Sequence, residues 1–264
     1  MTDGTKYGSK WEREETILAF DLYCRIPFRA TKRTNPAVVQ LAELIGRTPS
    51  SVARKLGNFG SFDPKLKARG VVGLSHASSL DREVFHAFQD DWESLIIEAE
   101  EIKRRLQDQA PILDTTIASG SVPSPRQTET LVVRKQRIGQ DFFRAAVVAS
   151  YDFKCCVTGL DVPECLIASH IVPWNEDESA RLDPANGLCL SATFDKLFDR
   201  FLMTVEPDYT MRFSSRLEKF ASHEIRDYID RHAGSKIVEP DKFTPREAYL
   251  SYHNDRFSEL ENLQ

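Results

Sequence analysis

Hydrophobic positions recur at helical spacing through the first hundred residues, and the pattern changes after residue 130. In "WEREETILAFDLYCRI", Trp11, Ile17, Leu18, Phe20, Leu22 and Tyr23 fall broadly on a helical repeat. Glu12, Glu14 and Glu15 sit in its first turn, where the helix dipole favours acids. "NPAVVQLAELIG" predicts a second helix, capped by Asn35, with Pro36 at the first position and Gly46 at the end. "RTPSSVARKLGNF" predicts a third, with Thr48 as cap, Pro49 at the first position and Gly57 near the end. A helix, a short Gly-containing turn and another short helix form a helix-turn-helix pattern. "SLDREVFHAFQDDWESLIIEAEEIKRRLQ" reads as one long amphipathic helix closing this half.

"DQAPILDTTIASGSVPSPRQTET" is rich in Pro, Ser, Thr and Gly without periodicity, which marks a linker. The expected division is residues 1–106 helical, 107–130 linker and 131–264 a second domain. The second domain begins with a helix in "GQDFFRAAVVASY", followed by a short apolar strand, "LIASHIVPW", a loop, and a turn into another strand, "DPANGLCLS". A helix from about Ala192 to Arg200, a strand pair in "LMTVEPDYTMRFS", a helix in "RLEKFASHEIRDYIDRHA" and a polar tail complete it. The fold class expected is α+β.

Bulk composition narrows the setting. The 264 residues are 41% hydrophobic and 28% charged, an ordinary soluble balance. No stretch approaches the ~18 apolar residues that span a bilayer, and the polar start "MTDGTKYGSKWEREE" shows no secretory signal, so no membrane partner is expected. Five cysteines, an odd number, favour a reducing, cytoplasmic compartment over a disulfide framework. With a net charge of -5, any nucleic-acid contact must come from a local basic patch.

The candidate chemistry lies in "LIASHIVPWNEDESARLDPANGLCLSATFDKLFDR". His170 interrupts an apolar strand, Asn186-Gly187 opens the next one, and Asp195 and Asp199 are spaced i, i+4 on one side of a helix. Phe194, Leu197, Phe198 and Phe201 form the opposing, core-facing side. A neutral imidazole can take a proton from water, and nearby carboxylates can hold a divalent metal through oxygen. Read singly, His170 could be a hydrogen-bonded core residue, Asn-Gly a simple turn, and the two aspartates helix-end or solvated charges.

Taken in order, "ASHIVPW…LDPANGLCLSATFDKLFDR", preceded by "RAAVVASYDFKCCVTGL", resembles the HNH endonuclease family, in its bacterial branch with an "SHI-P-W…NGLCL…FD" pattern. The resemblance covers roughly residues 131 to 256. It implies a ββα-metal unit that cuts phosphodiester bonds, with His170 as general base and Asn186 bracing the histidine's loop. It also implies a metal ligand from the helix beginning near Thr193. This sequence departs from the family twice. Thr193-Phe194 stands where relatives often carry a third histidine, and Ser169 stands where other branches carry an aspartate ligand. Asp195 and Asp199 are the expected substitutes, which favours Mg²⁺ or Mn²⁺ as cofactor. His253, in "AYLSYHNDRF", matches an "H…F" element near the end of relatives, and either a phosphate-side or a packing role is open to it.

DNA is the expected partner, with a second copy of the chain or a defence-system component as a further candidate. A basic run ending in "VVRKQRIGQDFFR", with Arg126, Arg134, Lys135, Arg137 and Arg144, could follow a DNA backbone or form a solvated linker end. Residues 11 to 62 bear a weaker resemblance to Myb/SANT-like helical modules. That resemblance implies groove contacts from Ser50, Ser51, Arg54 and Lys55, and phosphate contacts from Lys32, Arg33 and Arg47. A protein-docking bundle is the competing reading of this half. The function expected for the whole chain is a metal-dependent DNA endonuclease in bacterial restriction or defence. Its rivals are a DNA-binding regulator whose nuclease unit has lost catalysis, and a zinc-stabilised module built on Cys155, Cys156, Cys165 and Cys189.

Overall fold

The computed structural model of the protein describes residues 8–71, 79–108, 125–219 and 222–263, with the side chains of 125–134, 224 and 225 also outside the description. The chain divides into two compact units, Met1–Phe142 and Phe143–Gln264. Among the described residues, no helix is long and apolar enough to cross a membrane.

The first unit is helical. Helix α1, Arg13–Arg25, starts where Glu15 reaches back to accept from the Glu12 N–H at 3.0 Å. Helices α2, Pro36–Leu44, and α3, Pro49–Gly60, are capped as their sequences imply. Asn35 Oδ1 accepts from Ala37 N at 2.9 Å, and Thr48 Oγ1 accepts from Ser51 N at 3.2 Å. Gly46 takes a φ of +68° between them, the left-handed turn that a Cβ disfavours. A short helix α4, Pro64–Ala68, follows. The single long helix expected next is two helices, α5, Ser79–Phe88, and α6, Trp92–Asp108. The break falls at "QDD", where Asp91 Oδ1 accepts from Ser94 N, a local bond that competes with helix continuation. Phe20 of α1 packs against Phe59 and Phe85, with ring centroids 5.0 and 5.5 Å apart, and this aromatic contact centres the core.

Helix α7, Pro125–Ser150, begins inside the stretch expected to be linker. The Thr- and Gln-rich start lacks apolar periodicity, yet the helix extends through it. Residues 107 and 108 of the expected linker end α6, and residues 109–124 lie outside the described residues.

The second unit begins with the end of α7. Strands β1, Leu166–His170, and β2, Gly187–Ser191, pair antiparallel with His170 opposite Gly187. Helix α8, Ala192–Asp199, follows β2 without a loop. This β–loop–β–helix order is the ββα arrangement expected. Strands β3, Met203–Val205, and β4, Met211–Phe213, form a second antiparallel pair. The helix expected over "RLEKFASHEIRDYIDRHA" is a 3₁₀ turn, Ser215–Lys219, and a helix α9, His223–Asp230. The "polar tail" is instead a four-turn helix, α10, Glu247–Asn262, that buries Leu250, His253, Asn254 and Phe257. Its apolar stripe is narrow and mixed with polar residues, so periodicity hides it. The core joins Phe143 and Val147 of α7, Leu188 and Leu190 of β2, and Phe194 and Phe198 of α8.

Candidate active site

A cleft of about 560 Å³ opens in the second unit between β1, the loop after it, and α8. His170, Trp174, Asp195, Asp199, Phe201 and Ser169 are among its lining residues. The structure thus brings His170, Asp195 and Asp199 to one place.

His170 is held on three sides. Its ring stacks on Phe143, with centroids 3.8 Å apart and planes 7° off parallel, and Trp174 meets it edge-on at 5.5 Å. Its Nε2 lies 3.0 Å from the Arg181 carbonyl. A carbonyl only accepts, so Nε2 carries the proton and Nδ1 keeps a free lone pair. Burial pushes the His170 pKa below its ordinary value, against smaller opposing effects of the Arg181 carbonyl and Asp199. The imidazole is therefore neutral at neutral pH. Its aromatic contacts need a close approach of α7, and Gly187 provides it. A Cβ at Gly187 would stand 2.3 Å from Val147 Cγ2 and 3.0 Å from Phe143 Cζ. The glycine of the Asn-Gly pair is thus required by packing, at an ordinary extended φ of -128°, and not by a turn.

Asn186 is fully buried in the 3₁₀ turn Pro184–Asn186. Its Oδ1 accepts from Val172 N at 2.8 Å, and its Nδ2 donates to the carbonyls of Val172 and Ala180, both at 3.1 Å. The amide spans the loop that carries the Arg181 carbonyl. Arg181 also donates from Nε to the Trp174 carbonyl at 2.7 Å, so the loop is closed at two places.

On α8, Phe194 and Phe198 are fully buried and Leu197 is partly buried, as the core-facing side requires. Phe201 departs from that side. It turns its ring to the cleft and stacks on His253. Asp195 is 8% exposed. Burial raises its pKa most, and the neighbouring Asp199 charge raises it further, while Ser169 pulls it back. Asp199 is more open and lies 3.6 Å from Lys196 Nζ. Ser169 Oγ is buried next to the Asp195 carboxylate. Among the described residues, no group of three or more His, Cys, Asp or Glu side chains gathers for a metal. Two repelling carboxylates and a neighbouring hydroxyl nevertheless offer oxygen donors of the kind a hard divalent cation takes.

The cysteines are divided. Cys155, Cys156 and Cys189 are buried in the core, and Cys165 is exposed. Burial raises the Cys156 thiol pKa and pushes that of Cys189 up to about 12, which keeps both thiols protonated at neutral pH.

Several expected DNA contacts point elsewhere. Arg47 is buried, and it pairs with Glu15 at 2.7 Å and donates to the Ser9 and Lys10 carbonyls. Lys55 is buried on Asp81, and its ammonium also lies 4.5 Å from the Trp11 ring centre. Both cations are consumed by buried acids of their own unit, so neither faces a phosphate. Arg54, Lys32 and Arg33 are exposed, as are Lys135 and Arg137 on α7. The side chain of Arg134 lies outside the described residues. Arg144 donates to the Leu166 carbonyl at 2.8 Å and so braces β1.

Sequence reasoning passed over Phe143 and the Arg181 carbonyl. A helix-core phenylalanine and a backbone oxygen carry no local mark, and only the "PW" pair pointed to Trp174.

With β1, its loop, β2 and α8 enclosing one histidine, one buried asparagine and two carboxylates, the second unit has the form of a small ββα nuclease. Residues 155–206 match the family model described as HNH endonuclease. No curated protein matches the chain. The match supports nuclease or DNA-binding activity in general, with DNA as the class of partner, and HNH nucleases generally use a divalent metal.

Proposed function

We propose that the second unit is a metal-dependent endonuclease that hydrolyses phosphodiester bonds in DNA. The observation that carries this reading is the state of His170. It is neutral, donates its Nε2–H to the Arg181 carbonyl, and keeps Nδ1 unprotonated in the same cleft as Asp195 and Asp199. Nδ1 takes the proton of the attacking water. Phe143 and Trp174 hold the ring plane, and Asn186 holds the loop whose carbonyl sets the tautomer. Asp195 and Asp199 would hold the cation, with Ser169 Oγ as a third oxygen. Their hardness favours Mg²⁺ or Mn²⁺. Held by these residues, a cation would supply positive charge to the phosphate and the departing 3′ oxygen. The products are 3′-hydroxyl and 5′-phosphate ends.

The first unit serves as the DNA-targeting module, using the exposed Arg54, Lys32 and Arg33. Lys135 and Arg137 add positive charge along α7. A restriction or defence role in the bacterial cytoplasm follows by analogy with the family, as does a partner that is either a second copy or a defence component. A second reading, a DNA-binding regulator without catalysis, draws on the small ligand set of only two carboxylates. Plasmid nicking across Mg²⁺, Mn²⁺ and Ni²⁺ separates the two. Cutting by the parent that His170→Ala abolishes supports the nuclease, and DNA binding with no cutting under any ion supports the regulator.

A further inference from the structure

Helix α10 lies outside the family-matched segment, yet it contacts both the turn that holds Asn186 and the end of α8. At its start, Arg246 Nε and the Tyr249 hydroxyl meet Asp183 Oδ2 at 3.0 and 3.1 Å, and Asp183 caps the turn that holds Asn186. Two turns on, His253 is 2% exposed. Its Nε2 lies 3.2 Å from the Phe198 carbonyl in the last turn of α8, and its Nδ1 lies 2.9 Å from Thr204 Oγ1 on β3. The carbonyl fixes the tautomer, so Nε2–H donates to Phe198 and Nδ1 accepts from the threonine hydroxyl. Burial pushes the His253 pKa down to about 4, so this pattern persists at any working pH. Asn254 adds a second tie, donating to the Val205 carbonyl at 2.7 Å.

The ring itself is stacked. Phe198 lies 3.7 Å away at 7°, and Phe201 lies 4.7 Å away at 30°. Phe201 has a φ of +51°, the left-handed conformation that ends helices and that glycine adopts without strain. A bulky side chain at such a position needs a use that glycine would lack. Here the ring walls the cleft and stacks on His253. Asp199 follows Phe198 directly, and Asp195 lies one turn earlier. The imidazole thus bonds and stacks at the end of the helix that carries both carboxylates.

We propose that His253 is a positioning residue for the cation-holding face of α8. It ties the helix end to β3 and to the Phe201 ring, and so fixes the Asp195–Asp199 pair. This rests on the reading of those two carboxylates as cation ligands. It gives the C-terminal helix a role in catalysis that the family-matched segment does not contain.

The test is Mn²⁺ binding to the full chain without DNA, followed by the electron paramagnetic resonance signal of free Mn²⁺. His253→Phe keeps a stacking ring and deletes both hydrogen bonds. His253→Gln can return a donor to the Phe198 carbonyl. Groups that orient metal ligands typically alter affinity by about tenfold or more, and His253→Phe is expected to weaken Mn²⁺ by that amount. His253→Gln should restore most of the loss, and circular dichroism and metal-free DNA binding should match the parent. Should His253→Phe fail to fold, Thr204→Val, which removes only the hydroxyl's bond to the ring, must weaken Mn²⁺ in the same direction. Unchanged Mn²⁺ affinity in His253→Phe or, failing that, Thr204→Val, alongside loss of binding in Asp195→Asn, overturns the positioning role and leaves the cation reading standing. A loss in His253→Phe that His253→Gln does not relieve also overturns it. If Asp195→Asn and Asp199→Asn both bind Mn²⁺ as the parent does, the cation reading is wrong and the role of His253 falls with it.

Discussion

Asn186→Ala should unfold the loop that carries the Arg181 carbonyl, because three hydrogen bonds leave with one side chain. The Ala180 carbonyl keeps another partner, the Asp183 N–H at 3.3 Å. The Val172 N–H and carbonyl lose theirs, and Val172 is buried. A buried group left unpaired costs ~1–3 kcal/mol, so the two together give roughly 2–4 kcal/mol after partial relaxation. In a unit of this length, 1 kcal/mol moves Tm by roughly 4 °C, so the expected fall is roughly 8–16 °C by calorimetry. Asn186→Asp sharpens the test. The carboxylate keeps the acceptor for Val172 N but faces two carbonyls with a charge, which raises its folded pKa above the unfolded ~3.9. The folded state then binds more protons than the unfolded one, so stability falls as pH rises through the window between those values. Relative to the parent, the variant should recover at acid pH, where a protonated carboxyl can donate to a carbonyl. Nicking should fall with both variants while DNA binding persists. A Tm within ~3 °C of the parent for Asn186→Ala, or an Asn186→Asp deficit that does not shrink toward acid pH, would refute the reasoning.

His170→Ala should lower nicking by ~10²–10⁴-fold, the usual loss on removing a general base, with DNA affinity nearly intact, and turnover like the parent's would exclude His170 as base. Because burial holds the His170 pKa below 6.5, activity should stay on its plateau as pH falls through 6.5 and drop only below it. A midpoint above 6.5 in the rate profile would assign the limb to another group. Gly187→Ala should cost ~1–3 kcal/mol through overpacking against Val147. Val147→Ala in the same chain should return part of that loss in urea unfolding, and strictly additive losses would show that the clash is not the cause. Changing Arg54, Lys32 and Arg33 to Ala together should weaken DNA binding and flatten its salt dependence by up to ~3 units of slope, whereas Arg47→Ala should lower stability instead. An unchanged slope in the triple variant would move the phosphate contacts to Lys135 and Arg137 on α7 or to the second unit.

Local chemistry determined a good deal of this protein. The caps Asn35 and Thr48, the prolines after them and the left-handed Gly46 are short-range devices, so α2 and α3 were legible residue by residue. The ββα order was legible too, because strand–turn–strand–helix is written in adjacent residues and the linked motifs fall in one stretch. The i, i+4 spacing of Asp195 and Asp199 sufficed to put both on the cleft side. What the sequence could not settle were matters of who pairs with whom across long separations. Arg47 and Lys55 look like DNA contacts by resemblance to helix-turn-helix modules, but Glu15 and Asp81, distant in sequence, draw them inward. Gly187 reads as half of a turn until α7 is packed against it. The last helix reads as polar because its buried face mixes Leu250 and Phe257 with His253 and Asn254, which find partners in Phe198, Thr204 and Val205. A polar side chain shows itself as a core residue only when its partners are in place. Those partners are supplied by the tertiary fold.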